Sequence, residues 1–330
     1  MKYVSEIKAL SVAAVVPAYN AAGYIRRCID GLIAAGFRPD QISIADDGST
    51  DSTIEIVREY GIEPIVLSAN LGAAGARNAA AQAVGADILL FVDADVIVHP
   101  DVCERILDRF TQPDAPSAIF GSYDDKPTRS EPISRVRNLL HHYVHQKNGG
   151  AATTFWTGLG AVRRDVFDEV GGFDASVAMM EDIEFGMRLH LAGHRIELDP
   201  ALQGSHQKYW SLPGMVQTDL WHRAVPWTQL MSSPAGQRIP ESLNVSLDSK
   251  ASVILVGLSM IFAALAWVIG LSAAIACGIT IAALVYFNRE FLAFVTRLDG
   301  VRQAAKALGV LWLHYLCAGT GYALVKMRLV

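Results

Sequence analysis

The stretch FVDADVIV, residues 91–98, sets two carboxylates, Asp93 and Asp95, inside a run that is otherwise apolar and strand-like. Burying an unpaired carboxylate is costly. Something positive or hydrogen-bond donating has to meet these two: a metal, a Lys or Arg, or a hydroxyl-rich ligand. The flanking sequence narrows the choice. Residues 12–16 are an apolar run ended by Pro17, and residues 22–35 have helical periodicity up to Gly36. Residues 42–45 read as a short strand ending at Asp46-Asp47-Gly48, and Ser49 to Asp51 supply capping residues for a helix through Tyr60. A strand over 64–67, an Ala-rich helix over 73–84 and a strand over 87–92 follow. Strands separated by helices predict an α/β fold with a doubly wound parallel sheet. Ligands of such sheets bind beyond the carboxyl ends of the strands. Pro17-Ala18-Tyr19-Asn20, Asp46-Asp47 and Asp93-Ala94-Asp95 all follow strands, so they share one edge. The carboxylates of FVDADVIV therefore belong to a ligand site rather than to the core.

Further along, residues 117–121 and 154–162 read as strands and 124–132 as a polar loop. Residues 133–146 read as a helix whose His141, His142 and His145 form a solvated face. A helix starts near Asp182, and 195–198 is the last strand, with His206 beyond it.

The chain has 330 residues, 52% of them hydrophobic, and the apolar excess is concentrated. No Asp, Glu, Lys, Arg or His occurs between Ala251 and Phe287. One membrane span needs about 20 apolar residues, so this run fits a hairpin of two. Its spans are 251–269 and 271–287, turning near Gly270-Leu271-Ser272. A third candidate, 307–325, is interrupted by His314 and Gly319-Thr320-Gly321; it reads as a span, a re-entrant segment or an interfacial one. The expected organisation is a catalytic domain over 1–235 and a membrane region over 236–330. Residues 288–330 carry six basic and two acidic residues, net +4, which leaves net −9 on the rest. A basic segment after the hairpin fits a cytoplasmic loop beside anionic headgroups. The first ten residues lack a long apolar core, which predicts no cleaved secretion signal and a catalytic domain on the cytoplasmic side of the membrane (the inner membrane if bacterial). Cys28, Cys103, Cys277 and Cys317 have neither metal-ligand nor disulfide spacing and read as small apolar residues. An acidic large domain without a basic, aromatic-interleaved stripe excludes nucleic acid as a partner.

VAAVVPAYN, ISIADDGSTD, NLGAAGARNAA, LLFVDADV, GGFD and MMEDIEFGMRL occur in this order. Together they resemble the motif series of family 2 glycosyltransferases, over roughly residues 10 to 230. The resemblance implies a GT-A fold and inverting transfer of a sugar from a nucleotide-diphosphate donor, with Mg²⁺ or Mn²⁺. It implies that Pro17, Ala18 and Tyr19 flank the base, that Asp46 accepts a hydrogen bond from it, and that Arg77 helps hold the nucleotide. It places Asp93 and Ala94 at the ribose, with Asp93 also near the metal. It implies that Asp95 ligates the metal and that His206 completes its site or contacts the diphosphate. In Glu181-Asp182, Asp182 is the general base that takes the acceptor hydroxyl proton; a cap role at its helix would explain Asp182 structurally.

Three tryptophans cluster in YWSLPGMVQTDLWHRAVPW: Trp210, Trp221 and Trp227. Trp221 and Trp227 suit a membrane interface, and Arg223 could meet a lipid phosphate. Processive members of the resembled family carry Gln-x-x-Arg-Trp here. This chain has Gln217 but Leu220-Trp221, which argues against a polymer-extruding synthase. The expected acceptor is a lipid or lipid-linked saccharide. The rivals are a polyprenyl-phosphate sugar synthase, whose acceptor needs no base, and a membrane scaffold with a retired transferase domain.

Overall fold

The computed structural model describes residues 10–177, 179–240 and 246–330. The segment behind the expectation about secretion signals, residues 1–9, lies outside them. Two compact units are formed, one from residues up to 122 together with 149–207, the other from 123–148 together with 208–330.

The first unit begins β1 (Val12–Ala18), α1 (Ile25–Ala34), β2 (Ile42–Asp46), α2 (Thr53–Arg58), β3 (Ile65–Val66), α3 (Gly72–Ala83) and β4 (Ile88–Val92). The four strands are parallel, in the order β3-β2-β1-β4. β4 is buried along its whole length, and β1 nearly so. That burial on both faces is why they read as unbroken apolar runs. The strand order reverses between β1 and β4, and the crevice outside their carboxyl ends is where such sheets bind ligands.

After β4 the sheet turns antiparallel. β5 (Val96–Val98) and α4 (Val102–Thr111) precede β6 (Ala118–Tyr123), and the chain then continues through the second unit's α5 (Pro132–Lys147). β7 (Gly150–Ala152), β8 (Leu159–Arg163), α6 (Arg164–Glu169), α7 (Glu181–Leu191) and β9 (Ile196–His206) complete the first unit. β8 runs antiparallel to both β4 and β6. The strand expected over 87–92 is β4, and the apolar residues after Asp95 form a further strand, β5. One sequence expectation changes here: the last strand runs to His206 instead of stopping at 198. Asp199-Pro200 resembles a turn signal, yet Pro200 falls between the stretch of β9 paired with β7 and the stretch paired with β5.

The second unit adds α8 (Leu212–Gln217), a π-helical turn (Thr218–Ala224), α9 (Val225–Ser232), α10 (Leu247–Ile269), α11 (Leu271–Phe287), α12 (Arg289–Asp299) and α13 (Val301–Lys326). Val136 and Leu139 of α5 pack with Phe291, Val295, Ala304, Ala307 and Leu311 of α12 and α13. Arg135 pairs with Asp299 through two guanidinium nitrogens, Nε and Nη2. The three histidines of α5 are not a solvated face. His145 is buried, His141 and His145 rings lie 3.9 Å apart, and His142 Nδ1 stands 2.8 Å from the Tyr123 carbonyl.

α10 and α13 are long and apolar enough to cross a membrane. α11 and α12 would make a third span only as a pair, bent by 72°. The bend has a polar cause. Asn288, at the break, donates to Ser252 Oγ and the Leu284 carbonyl and accepts from the Tyr315 hydroxyl. α10 leaves Ile254, Met260, Ile261, Trp267, Val268 and Ile269 exposed, a face with no polar partner to offer water. The glycines expected to interrupt 307–325 do not break α13. A Cβ on Gly321 would stand 2.5 Å from Ala224 Cβ, so this glycine permits a close helix approach.

Candidate functional site

The carboxyl edge of the first unit is assembled by loop-to-loop hydrogen bonds. Asn20, at φ 48°, donates from its backbone to Ser49 Oγ and accepts from Thr50 N at 2.8 Å. Ala21 N donates to Thr53 Oγ1 and Ala22 N to Asp51 Oδ2. The end of β1, with Pro17 and Ala18, and the loop after it, with Tyr19, are thus stitched to the loop after β2. Ala18 is buried and Tyr19 is exposed, with its ring free to meet a ligand.

The two acids at the end of β2 do different work. Asp47 accepts from Leu71 N and Gly72 N, which anchors the start of α3. Asp46 is fully buried, and its Oδ1 accepts from Gly48 N and Ser49 N. Its Oδ2 is buried with no hydrogen-bond partner among the described residues. A buried carboxylate oxygen left unmet calls for a donor from a ligand or a water.

Arg77 is the hub of the edge. It is 4% exposed and donates to Asp93 Oδ1 at 2.7 Å and to Glu181 Oε1 at 2.6 Å. The two carboxylates come from segments 88 positions apart, and one guanidinium fixes both. Their charge holds Arg77 protonated against its burial. The positive group demanded by Asp93 is therefore within the chain.

Asp95 is answered differently. β5 pairs with β9 so that Val96 lies opposite His206, and Gln207 N donates to the Asp95 carbonyl. Asp95 Oδ2 then lies 3.6 Å from His206 Nε2, a spacing at which both can face one ion. No group of three His, Cys, Asp or Glu that could hold a metal occurs among the described residues. Hard divalent ions commonly take one or two protein ligands and fill the remainder with substrate phosphates and water. Asp95 and His206 fit on those terms, and imidazole is acceptable to Mn²⁺.

α7 carries the second acid pair. Met179 and Met180 both have positive φ, 62° and 67°, which is strained for side-chain-bearing residues. They turn the chain so that Glu181 and Asp182 open the helix. Two clamps hold the preceding GGFD loop. Asn78 of α3 bonds the Phe173 backbone through both its side-chain atoms, and Arg188 of α7 donates to the Val170 and Gly172 carbonyls. Asp182 Oδ1 accepts its neighbour's N–H, from Ile183 at 2.8 Å. Burial first, and then the Glu181 charge, push the Asp182 carboxyl from about 3.8 up to about 7, while Arg77 pulls the other way. A carboxylate poised near neutrality suits proton removal.

Pro17, Ala18, Tyr19, Asp46, Arg77, Asp93, Ala94, Asp95, Glu181, Asp182 and His206 all lie within the first unit. Trp221, Arg223 and Trp227 lie in the second, where Trp221 and Arg223 are exposed and Trp227 is half-buried. Sequence reasoning missed Asn78, Arg188 and the Asn20–Ser49–Thr50 stitch. Asn78 belongs to the quoted NLGAAGARNAA motif, but its target is nearly a hundred residues away.

Comparison with known proteins bears on this arrangement. The family described as Glycosyl transferase family 2 matches residues 13–171. A poly-β-1,6-N-acetyl-D-glucosamine synthase of Staphylococcus aureus is 25% identical over 223 residues, 64% of this chain and 52% of that protein. A validoxylamine A glucosyltransferase of Streptomyces hygroscopicus is 28% identical over 225 residues, 57% of this chain and 53% of that protein. The chain thus spans about half the length of the curated relatives it matches. Among solved structures, the mannosyltransferase PcManGT of Pyrobaculum calidifontis, in complex with GDP-Man and Mn²⁺, superposes with a TM-score of 0.57 at 16% identity. That match covers 96% of this chain and 88% of the other. Likeness at such identity establishes the shared fold, the GT-A-type α/β sheet.

Proposed function

We propose that the chain, which matches glycosyl transferase family 2 over residues 13–171, moves a sugar from a nucleotide-diphosphate donor, with inversion, onto a lipid or lipid-linked acceptor. The observation that carries the proposal is the cluster at the carboxyl edge. One buried guanidinium, Arg77, binds Asp93 and Glu181, and so sets Asp182 in the company of the strand-end acids. The names of relatives support a nucleotide-sugar donor, since one solved neighbour holds GDP-Man.

In this proposal Asp46 receives a base N–H on its unpartnered Oδ2, flanked by Pro17, Ala18 and Tyr19, and Asp93 and Ala94 lie along the ribose. Asp95 and His206 would hold a divalent cation, Mg²⁺ or Mn²⁺, which neutralises the leaving diphosphate when bound. Arg77 holds Asp93 and Glu181 in place. Asp182 takes the proton from the acceptor hydroxyl as its oxygen bonds the anomeric carbon. The bond from that carbon to the diphosphate breaks on the opposite face, and its electron pair leaves with the phosphate. Catalysis falls to the first unit. The second unit, with α10, α13 and the exposed Trp221 and Arg223, attaches the enzyme to a membrane in several passes, catalytic side toward the cytoplasm.

The test is direct. The purified chain in lipid is incubated with a panel of nucleotide sugars, and labelled lipid is identified by mass. Transfer from one donor with release of its nucleoside diphosphate is expected. Absence of both release and transfer with every donor would leave a non-catalytic scaffold as the better reading.

A further inference from the structure

The second unit contains a polar cluster that the transfer chemistry does not use. The π-helical turn Thr218–Ala224 turns Asp219 inward, where it is 2% exposed. Such turns are uncommon and concentrate at functional sites. Arg137 Nη1, from α5, donates to Asp219 Oδ1 at 2.7 Å, and His314 Nδ1, from the middle of α13, lies 2.9 Å from Oδ2. The other terminal nitrogen of Arg137, Nη2, is buried with no hydrogen-bond partner among the described residues. The Arg137 guanidinium stands 4.1 Å from the Trp210 ring, and Lys208 Nζ stands 4.6 Å from the same ring. Arg223 is near enough that its charge, after burial itself, helps to pull the Arg137 pKa down.

Three cations therefore gather about one carboxylate and one indole. Buried charge persists when it is compensated, and this cluster is short of negative charge by two when His314 is neutral. An orphaned guanidinium N–H, two exposed cations and an aromatic plate match a phosphate ester or diphosphate, for which arginine is the preferred donor. The surroundings say what carries that phosphate. His314 lies on α13, which is long and apolar enough to cross a membrane. Ionisable groups on such helices mark ligand or ion sites by default. Trp221, on the same π-helical turn, is 49% exposed, as suits a headgroup-level anchor.

We propose that Arg137, Lys208 and Arg223 bind the phosphate or diphosphate of a lipid-linked molecule, with Trp210 beside it and Asp219 and His314 holding Arg137 in position. The identification of that molecule as the acceptor rests on the transferase reading above. The phosphate is then a handle, distinct from the hydroxyl that Asp182 would deprotonate.

The experiment reads binding alone. The full chain in neutral detergent, with excess chelator so that a metal-dependent donor site cannot retain a diphosphate, is titrated with farnesyl diphosphate, farnesol and inorganic pyrophosphate. Calorimetry should show farnesyl diphosphate bound at least about tenfold more tightly than either of the others. Arg137→Gln and Lys208→Gln should each weaken it by about tenfold or more, the scale of one charge-assisted hydrogen bond. Asp182→Asn should leave it unchanged. Equal affinity for inorganic pyrophosphate would overturn the lipid assignment. Unchanged affinity in folded Arg137→Gln and Lys208→Gln would overturn the site itself. Should Arg137→Gln fail to fold, Lys208→Gln and Arg223→Gln, on exposed side chains, decide the question. No donor is present, so a failure of sugar transfer would sink the catalytic reading without altering this result.

Discussion

Asp182→Asn should lower activity and raise stability together. Asparagine has the same shape and keeps an oxygen for the Ile183 N–H, so the start of α7 survives. What disappears is a half-buried negative charge beside Glu181. Loss of a well-placed base costs about 10²–10⁴-fold in turnover, or roughly 3–5 kcal/mol of barrier. Stability moves the other way. The carboxyl stands at about 7 in the fold against an ordinary value of 3.8. A raised acid holds more protons folded than unfolded, so wild-type stability falls as pH rises from about 4 to about 7, then levels. The substitution removes that slope. After discounting for solvent screening, about 1–2 kcal/mol is recovered above pH 7, or roughly 2–4 °C in thermal midpoint. The measurements are initial rate against a hydroxyl-bearing acceptor, donor affinity, and thermal midpoint at pH 5 and pH 8. Near-normal donor affinity, collapsed turnover and a midpoint gain larger at pH 8 are expected. Wild-type turnover would refute Asp182 as base and favour a phosphate acceptor, as in a polyprenyl-phosphate sugar synthase. A midpoint loss at both pH values would refute the electrostatic account, because it would make Asp182 a structural cap. For the wild-type enzyme, kcat/KM should rise with pH through about 7, as the base loses its proton.

Asp95→Ala should abolish metal-stimulated transfer with the fold intact by circular dichroism; full activity in that variant or in excess chelator would remove Asp95 from a metal site. Asp46→Asn should weaken donor nucleotide binding by about 10-fold or more, the worth of one hydrogen bond to a charged acceptor, as read by calorimetry. Arg77→Met should destabilise the chain by about 3–5 kcal/mol, because it strands Asp93 and Glu181; denaturant unfolding tests this, and a loss under 1 kcal/mol would contradict the hub. A cysteine placed at Arg297 should resist impermeant reagents applied outside intact cells; efficient labelling would reverse the proposed topology.

The sequence by itself determined the parallel half of the sheet. A strand buried on both faces must be apolar throughout, so residues 12–16 and 88–92 declared themselves, and their carboxyl ends marked the acids at 46, 93 and 95. The uncharged run 251–287 likewise announced apolar helices by length alone. What sequence could not reveal is which residues meet across long separations. Nothing local tells that Arg77 is shared by Asp93 and Glu181, or that Val96 pairs with His206, because each partner's local pattern is satisfied without the other. His206 looked like a loop residue because Asp199-Pro200 imitates a strand end, and only the pairing on either side of it shows that the strand continues to His206. Gly319 and Gly321 looked like breaks in a helix, since a glycine's low propensity is visible in sequence and the close helix packing it permits is not. The histidines of α5 looked solvated for the same reason: polarity is a property of the residue, but burial belongs to the neighbours that the fold supplies.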